Sequence, residues 1–349
     1  MELRRLMTFN VSEISPDYEA WISLQASSPY SSPFQSPEYY EFLKTQPNHV
    51  AVVVSVSGEL SSSLLALVVV DIQSNGNSFL RPFTSRAIVQ AGPLISPDCP
   101  PEAFRLLMAK TIELSNHNSA VYFEIRSYFD YSRYANLFSS CGLKYIDHGD
   151  CIADTTSLAA IDRNIQPRKM TQIRSALRKG TVFVDTPSDA QITEFYALLK
   201  RKHWQRTRRP IPPLQYFLDL AHTSIAAVLL AYNQGNLISG CVVVRPAASS
   251  LSSVQPAYYY YVAGENDLFR QYAPSSVITY HFLQYACSIG CQHASLMGSG
   301  RLSVPFGVRD FKVKMGGRII PSGRYLFLIH PFIYKLASFA LNILHRSDT

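Results

Sequence analysis

The chain has 349 residues, 47% hydrophobic and 16% charged, with 21 tyrosines and 19 phenylalanines. That composition excludes an extended disordered protein and suits two domains of about 150 residues each. Net charge is +7, and it is placed unevenly. Residues 168–209 hold eleven cations (Arg168, Lys169, Arg174, Arg178, Lys179, Lys200, Arg201, Lys202, Arg206, Arg208 and Arg209) against three acids (Asp185, Asp189 and Glu194). The local net is +8, which leaves −1 for the remainder. Such a stretch is a candidate footprint for a polyanion: nucleic acid, a nucleotide-linked substrate or an anionic membrane surface. A solvated basic helix face is the alternative.

The opening "MELRRLMTFNVSEISPDYEAW" lacks the apolar run of a signal peptide, and no charge-free apolar run reaches 18 residues. The sequence therefore predicts a cytoplasmic protein without a spanning helix. Its six cysteines (Cys99, Cys141, Cys151, Cys241, Cys287 and Cys291) are expected to be reduced. "CSIGCQH" brings Cys287, Cys291 and His293 together, but no second ligand cluster accompanies them. They read as residues of a helix end entering a strand, and no metal is expected.

Taken in chain order, the first half opens with helices at "SPDYEAWISLQ" and "SPEYYEFLKT". A hairpin over 49–72 follows, turning at Gly58, then a strand over 86–95, a helix over about 101–115 and a strand over 120–126. The second half repeats that order. Helices at "DAQITEFYALLKRKHW" and "PPLQYFLDLAH" precede a hairpin over 225–246 that turns at Asn233-Gln-Gly-Asn. A strand over 256–265, a helix over 274–289 and a strand over 293–299 complete it. The repetition, at a spacing of about 175 residues, lies in element order and not in identity. Helices followed by a mostly antiparallel sheet with one helical crossover describe the GNAT (N-acyltransferase) fold. The expected class is α+β: two GNAT-like domains in tandem, with mixed, mostly antiparallel sheets flanked by helices. Their expected bounds are 1–157 and 158–328, with an apolar C-terminal helix over 329–349.

Five stretches then resemble, in order, the Fem-type peptidoglycan-bridge family and its FemAB-like relatives. They are "PFQSPEYYEFL" (33–43), "SRAIVQAGPLI" (85–95), "QIRSALRKGTVFV" (172–184), "YYYYVAGENDLFRQYAPSSVITYHFLQYACSIGCQHASLMGS" (258–299) and "DFKVKMGGRI" (310–319). The resemblance covers roughly residues 30 to 325. It implies transfer of an acyl or aminoacyl group to an amino group of a cell-envelope precursor. It also implies charged transfer RNA as a donor. Family enzymes with a helical coiled-coil arm for transfer RNA differ here, because 188–222 is too short for one. The acceptor is open between peptidoglycan, capsule and exopolysaccharide precursors.

Acyl transfer from an ester to an amine passes through a tetrahedral oxyanion, which a fixed cation stabilises. Lys312, next to the aromatic Phe311, supplies such a cation. By resemblance this Phe-Lys pair lies at the aminoacyl end of the donor. A solvated strand lysine is the alternative, and Lys314, at the same strand parity, is the decoy. An activated ester needs no strong enzyme base, and no Ser-His-Asp or Cys-His spacing occurs. Along 258–261 the tyrosines are expected to alternate faces, which puts Tyr258 and Tyr260 on one side as candidate cleft residues. Arg270 and Gln271 precede a helix whose N-terminus suits an anion. With Arg174, Arg178 and Lys202 they complete the candidate substrate-binding set. "LFRQYAPSS" contains no glycine, so it lacks the loop that lets backbone N–H groups approach coenzyme A; no cofactor is expected. A coenzyme A-dependent N-acyltransferase on an amino sugar is the rival. A non-catalytic module that binds RNA or anionic glycans is the second. The segment 325–346 predicts a very apolar helix that either docks on the protein or attaches to the inner face of a membrane. No DNA partner is expected.

Overall fold

The computed structural model describes residues 8–58, 63–74, 81–247 and 255–346. The first half runs β1 (Phe9–Ser12), α1 (Tyr18–Ser27), α2 (Pro37–Thr45), β2 (His49–Gly58), β3 (Leu64–Gln73), α3 (Arg81–Thr84), β4 (Arg86–Ala91), β5 (Leu94–Ile95), α4 (Pro101–His117), β6 (Tyr122–Ser127), α5 (Ala135–Ser140) and β7 (Lys144–Ile146). The second runs β8 (Asp150–Asp154), α6 (Leu158–Asn164), α7 (Pro167–Arg178), β9 (Thr181–Val184), α8 (Asp189–Thr207), α9 (Leu214–Ala221), β10 (Ala226–Asn233), β11 (Asn236–Val244), β12 (Ala257–Gly264), α10 (Pro274–Ser288) and β13 (His293–Ser295). The chain ends with α11 (Gly307–Lys314), β14 (Gly317–Ile320), β15 (Arg324–Leu328) and α12 (Pro331–Arg346). Local chemistry sets several starts. Ser36 accepts the Tyr39 N–H with Pro37 in the first turn of α2, and Ser188 with Gln191 forms a capping box on α8.

The strands make two sheets. One has the order β1-β2-β3-β4-β6-β15-β7, with β5 on β3; the other has the order β14-β8-β13-β12-β11-β10-β9. In each, one pair is parallel: β4 with β6, and β12 with β13. Each parallel pair is bridged by a helix (α4 or α10) that lies on its own sheet. Those helices carry the centre of each core. Phe104, Leu107 and Met108 pack with Val68, Val70 and Ile125 in the first, and Ile278, Phe282 and Leu283 pack with Leu229, Cys241 and Tyr259 in the second. The two-fold GNAT arrangement is therefore present as α+β, with mixed, mostly antiparallel sheets.

The division of the chain differs from the expected one. The compact units are 1–147 with 322–349, and 148–321. The stretch "LKYIDHGDCIADTT", just before the expected boundary at 157, forms two strands and breaks at 147–149. β7 stays in the first sheet and β8 enters the second, between β13 and β14. In return β15 enters the first sheet between β6 and β7. The reason is packing: Tyr325 of β15 is buried and stacks on Phe138 of the first core with ring centroids 4.1 Å apart. Sequence order could not show this exchange, because strand patterns do not name their partners. The C-terminal helix also belongs to the first unit, with Tyr334 edge-on to Tyr122 at 5.4 Å. The first hairpin's turn falls on 59–62, outside the described residues. Among those described, no helix is long and apolar enough to cross a membrane.

Candidate active site

The two parallel pairs differ in extent, and that difference locates the site. β4 and β6 pair at six successive positions, from Arg86–Tyr122 to Ala91–Ser127. β12 and β13 pair at only two, Ala257–Ala294 and Tyr258–Ser295. β12 continues to Gly264 on its β11 side. After β13, however, the chain keeps to β8. The Leu296 N–H donates to Cys151 O at 2.7 Å, Ser299 N–H to Gly149 O at 2.7 Å, and Gly149 N–H to Gly300 O at 3.0 Å. A wedge therefore opens between β12 and residues 296–300. In the first unit the corresponding place is filled. Gln35 Nε2 donates to Gln90 O at 2.9 Å, Tyr128 Oη to Gln90 Oε1 at 2.6 Å, and Tyr131 Oη to Pro93 O at 2.9 Å. Gly92, at φ +95°, has Tyr131 Oη only 2.6 Å from where a Cβ would stand.

Lys312 sits at the wedge, on a helix and not on the expected strand. "DFKVK" alternates like a strand, but the following glycines end a helical turn. Gly316 has φ +91°, and a Cβ on Gly317 would fall 2.3 Å from Cys151 Sγ. Only glycine lets the chain leave α11 so close to β8. On a helix, residues two apart lie about 200° around the axis, so strand parity fails. Lys314 is exposed, whereas Lys312 Nζ turns inward and donates to Met297 O at 3.0 Å and Gly298 O at 2.7 Å. It thus holds the strand edge that β12 has left. Phe311 does not face Lys312. Its ring carries the Lys169 ammonium 5.1 Å from the centroid, and Lys169 also donates to Ser276 Oγ at 3.3 Å.

Asp150, at the start of β8, is the site residue that sequence reasoning missed. It is fully buried, and its Oδ2 accepts the Ser295 hydroxyl at 2.7 Å. Burial pushes its carboxyl up to about 7, opposed by Ser295, Lys312 and the Cys151 amide. Burial pushes the Lys312 amine down, opposed chiefly by Asp150. The one available signal was an acid opening the otherwise small and apolar run "DCIA".

The remaining candidates separate. Tyr258 is buried, and Tyr260 is half-buried with its Oη 3.5 Å from that of Tyr216. They do not form an alternating face, because β12 carries an extra residue against Val242 and Val243. That bulge resets the parity, and Tyr261 packs edge-on to Phe217 of α9. Arg270 and Gln271 are exposed in a short 3-10 turn before α10, and Gln271 O takes the Lys179 ammonium at 3.4 Å. Lys202 is no free cation: its Nζ lies 2.5 Å from Glu265 and 2.8 Å from Asp267, and Arg201 joins Glu265. Arg174 is exposed 3.7 Å from Asp162, and Arg178 is exposed near the end of α7. Arg206, which the sequence did not single out within its stretch, acts electrostatically on Lys312.

The FemAB family model matches residues 240–342, a span that includes the wedge strands and Lys312. No curated protein matches. Among solved structures, FemX aligns over 94% of this chain and 99% of its own, at 14% identity and a TM-score of 0.68. A tandem GNAT protein from the clavulanic acid biosynthesis pathway covers 91% and 97%, at 13% identity and a TM-score of 0.58. L-PGS from Bacillus licheniformis covers 87% and 96%, at 12% identity and a TM-score of 0.55. These likenesses show the fold, two GNAT-like units in tandem. Over 240–342 the sequence is similar to the FemAB family.

Proposed function

We propose that this protein forms an amide between an acyl or aminoacyl ester and an amino group of a cell-envelope precursor, of the peptidoglycan, capsule or exopolysaccharide kind. The observation that carries this reading is Lys312, an ammonium fixed by two backbone carbonyls at the edge of the wedge. An ammonium has three N–H groups, and the third is available to the ester oxygen. The acceptor amine attacks the carbonyl carbon, and the oxyanion that forms meets the Lys312 charge. The carbonyl then re-forms, the ester C–O bond breaks, and one amine proton leaves with the departing alcohol.

Charged transfer RNA is the donor this reading favours over coenzyme A. The N–H groups at the start of α10 are already engaged: Ser275 with Asn266 Oδ1 at 3.3 Å, Ser276 and Val277 with Ala273 O at 2.8 and 3.0 Å. A pyrophosphate there would have to displace them. The polyanion is received instead at the end of α8. There Arg206, Arg208 and Arg209 are exposed beside the exposed Trp204, and none forms an ion pair among the described residues. The acceptor places the protein at the inner face of the membrane, where such precursors are assembled.

The test is mass spectrometry of envelope precursors from a deletion strain, with and without the intact gene and its Lys312→Met form. Loss of an amide-linked group on deletion, restored only by the intact gene, is expected. Identical precursors in all strains overturn the reading. Tight coenzyme A binding by the purified protein would replace the donor with the rival one.

A further inference from the structure

Asp150 has a feature that substrate chemistry does not explain. Its Oδ1 is buried and makes no hydrogen bond among the described residues, although Oδ2 is fixed by Ser295. Ser295 is itself held, because its Oγ accepts the Met297 N–H at 2.9 Å. One side chain therefore links the carboxyl to the loop whose carbonyls seat Lys312. The carboxylate and the ammonium do not touch among the described residues; they act on each other through space. A buried carboxyl with an open oxygen is costly unless a cation answers its charge. Among the described residues, the charged and titratable groups around this pair include Cys151 on β8, Lys312 on α11 and Arg206 on α8, and the His148 ring, whose Cε1 lies 2.8 Å from where a Cβ of Gly298 would stand. Lys312 answers Asp150; Arg206 is of like sign to Lys312, and Cys151 is neutral because burial pushes its thiol up to about 12.

We propose that Asp150 is a positioning residue: aimed by Ser295, its carboxylate is the counter-ion that keeps Lys312 charged and seated on Met297 O and Gly298 O. Its catalytic meaning rests on Lys312 being the oxyanion donor, but the pairing itself does not. Carbonyl oxygens alone carry partial charge and leave the buried amine free to lose its proton. A neutral amine on those carbonyls would offer the oxyanion no charge. β8, with Gly149 before it, pairs with β13 and with residues 296–300, and β13 stands between β8 and β12, so a counter-ion on β8 supports the ammonium without competing for the substrate oxygen.

The test uses the full chain with lysine labelled with carbon-13 at Cε, and the Lys312 signal is identified by its loss in Lys312→Met. In the unaltered protein, that signal should step near pH 7 as Asp150 ionises, apart from the amine's own titration. Asp150→Asn should abolish the step and lower the amine's midpoint by about one pH unit or more, because an opposite charge has been removed. Ser295→Ala should move the step to higher pH, since the lost hydrogen bond favoured the charged carboxylate. Asp267→Asn, at the partner of Lys202, should change neither. An unaltered protein without the step, or an unchanged midpoint in Asp150→Asn, overturns the proposal. If Asp150→Asn does not fold, the unaltered protein and Ser295→Ala decide it. No substrate enters the measurement, so its failure is distinct from failure of the proposed reaction.

Discussion

Lys312 and Lys314 share a sequence motif but not an environment, and that contrast gives a direct test of the mechanism. Lys312 is turned inward onto Met297 O and Gly298 O, whereas Lys314 is exposed, its side chain makes no hydrogen bond or ion pair among the described residues, and its backbone carbonyl accepts the Gln166 N–H at 3.0 Å. Lys312→Met should lower turnover by about 10²-fold or more, comparable to the loss of one oxyanion donor. Substrate affinity should change less, because the interaction strengthens mainly in the transition state. Lys314→Met should be nearly silent. Equal losses in steady-state kinetics of the two variants would reduce Lys312 to general electrostatic attraction. At this scale the motif "FKVKMGG" was readable, and so was the chemistry a lysine brings. Its conformation was not. Alternating Phe, Lys, Val and Lys fits a strand, and only the glycines pressed against Asn164 and Cys151 show why a helix ends there.

At the scale of elements, α8 sorts the basic stretch into two parts. Its middle is neutralised, with Arg201 and Lys202 bound to Glu265 and Asp267 on the segment leaving β12. Its end is not. Arg208 adopts a left-handed cap, and His203 Nδ1 meets Arg209 O at 2.9 Å, which folds the last arginines back beside the helix. Reversing Arg206, Arg208 and Arg209 to Glu should therefore weaken binding of RNA or a nucleotide-linked precursor. Affinity of the unaltered protein should fall steeply with salt, as counterions are released. Lys202→Glu should instead lower the melting temperature, because the buried Glu265 would face a third acid. A flat salt dependence, with unchanged binding in the triple variant, would leave the α8 end as a solvated face. Composition showed where the cations lie along the chain, but not which of them already have partners, since Glu265 and Asp267 are more than sixty residues distant.

For the whole molecule, β15 makes the first sheet depend on chain from beyond its own continuous segment, whereas the second sheet is drawn wholly from 148–321. The last element, α12, follows β15 in the first unit and exposes Phe332, Leu336 and Phe339 at spacings of four and three, one side of a helix. Such a side suits the interface of a membrane that holds a lipid-linked acceptor. Deleting 331–349, which removes the helix but keeps β15, should move the protein from the vesicle-bound to the free fraction in a flotation assay. A full-length chain that never floats would assign those side chains to contact with protein.

Element order, the two GNAT repeats and the motif containing Lys312 followed from the sequence alone. Hydrophobic period, capping residues and turn glycines are local, and the pattern "helix, hairpin, strand, helix, strand" survives without knowledge of any contact. What the tertiary structure decided was non-local. It chose which sheet receives β8 and β15, closed one parallel pair with Gln35, Tyr128 and Tyr131, and left the other open after Tyr258. It also brought Asp150 and Lys312, which lie far apart in the chain, into one electrostatic field. Strand partners are set by packing across sheets, and buried charges by whichever groups the fold encloses with them. Neither is written in the spacing of residues along one chain.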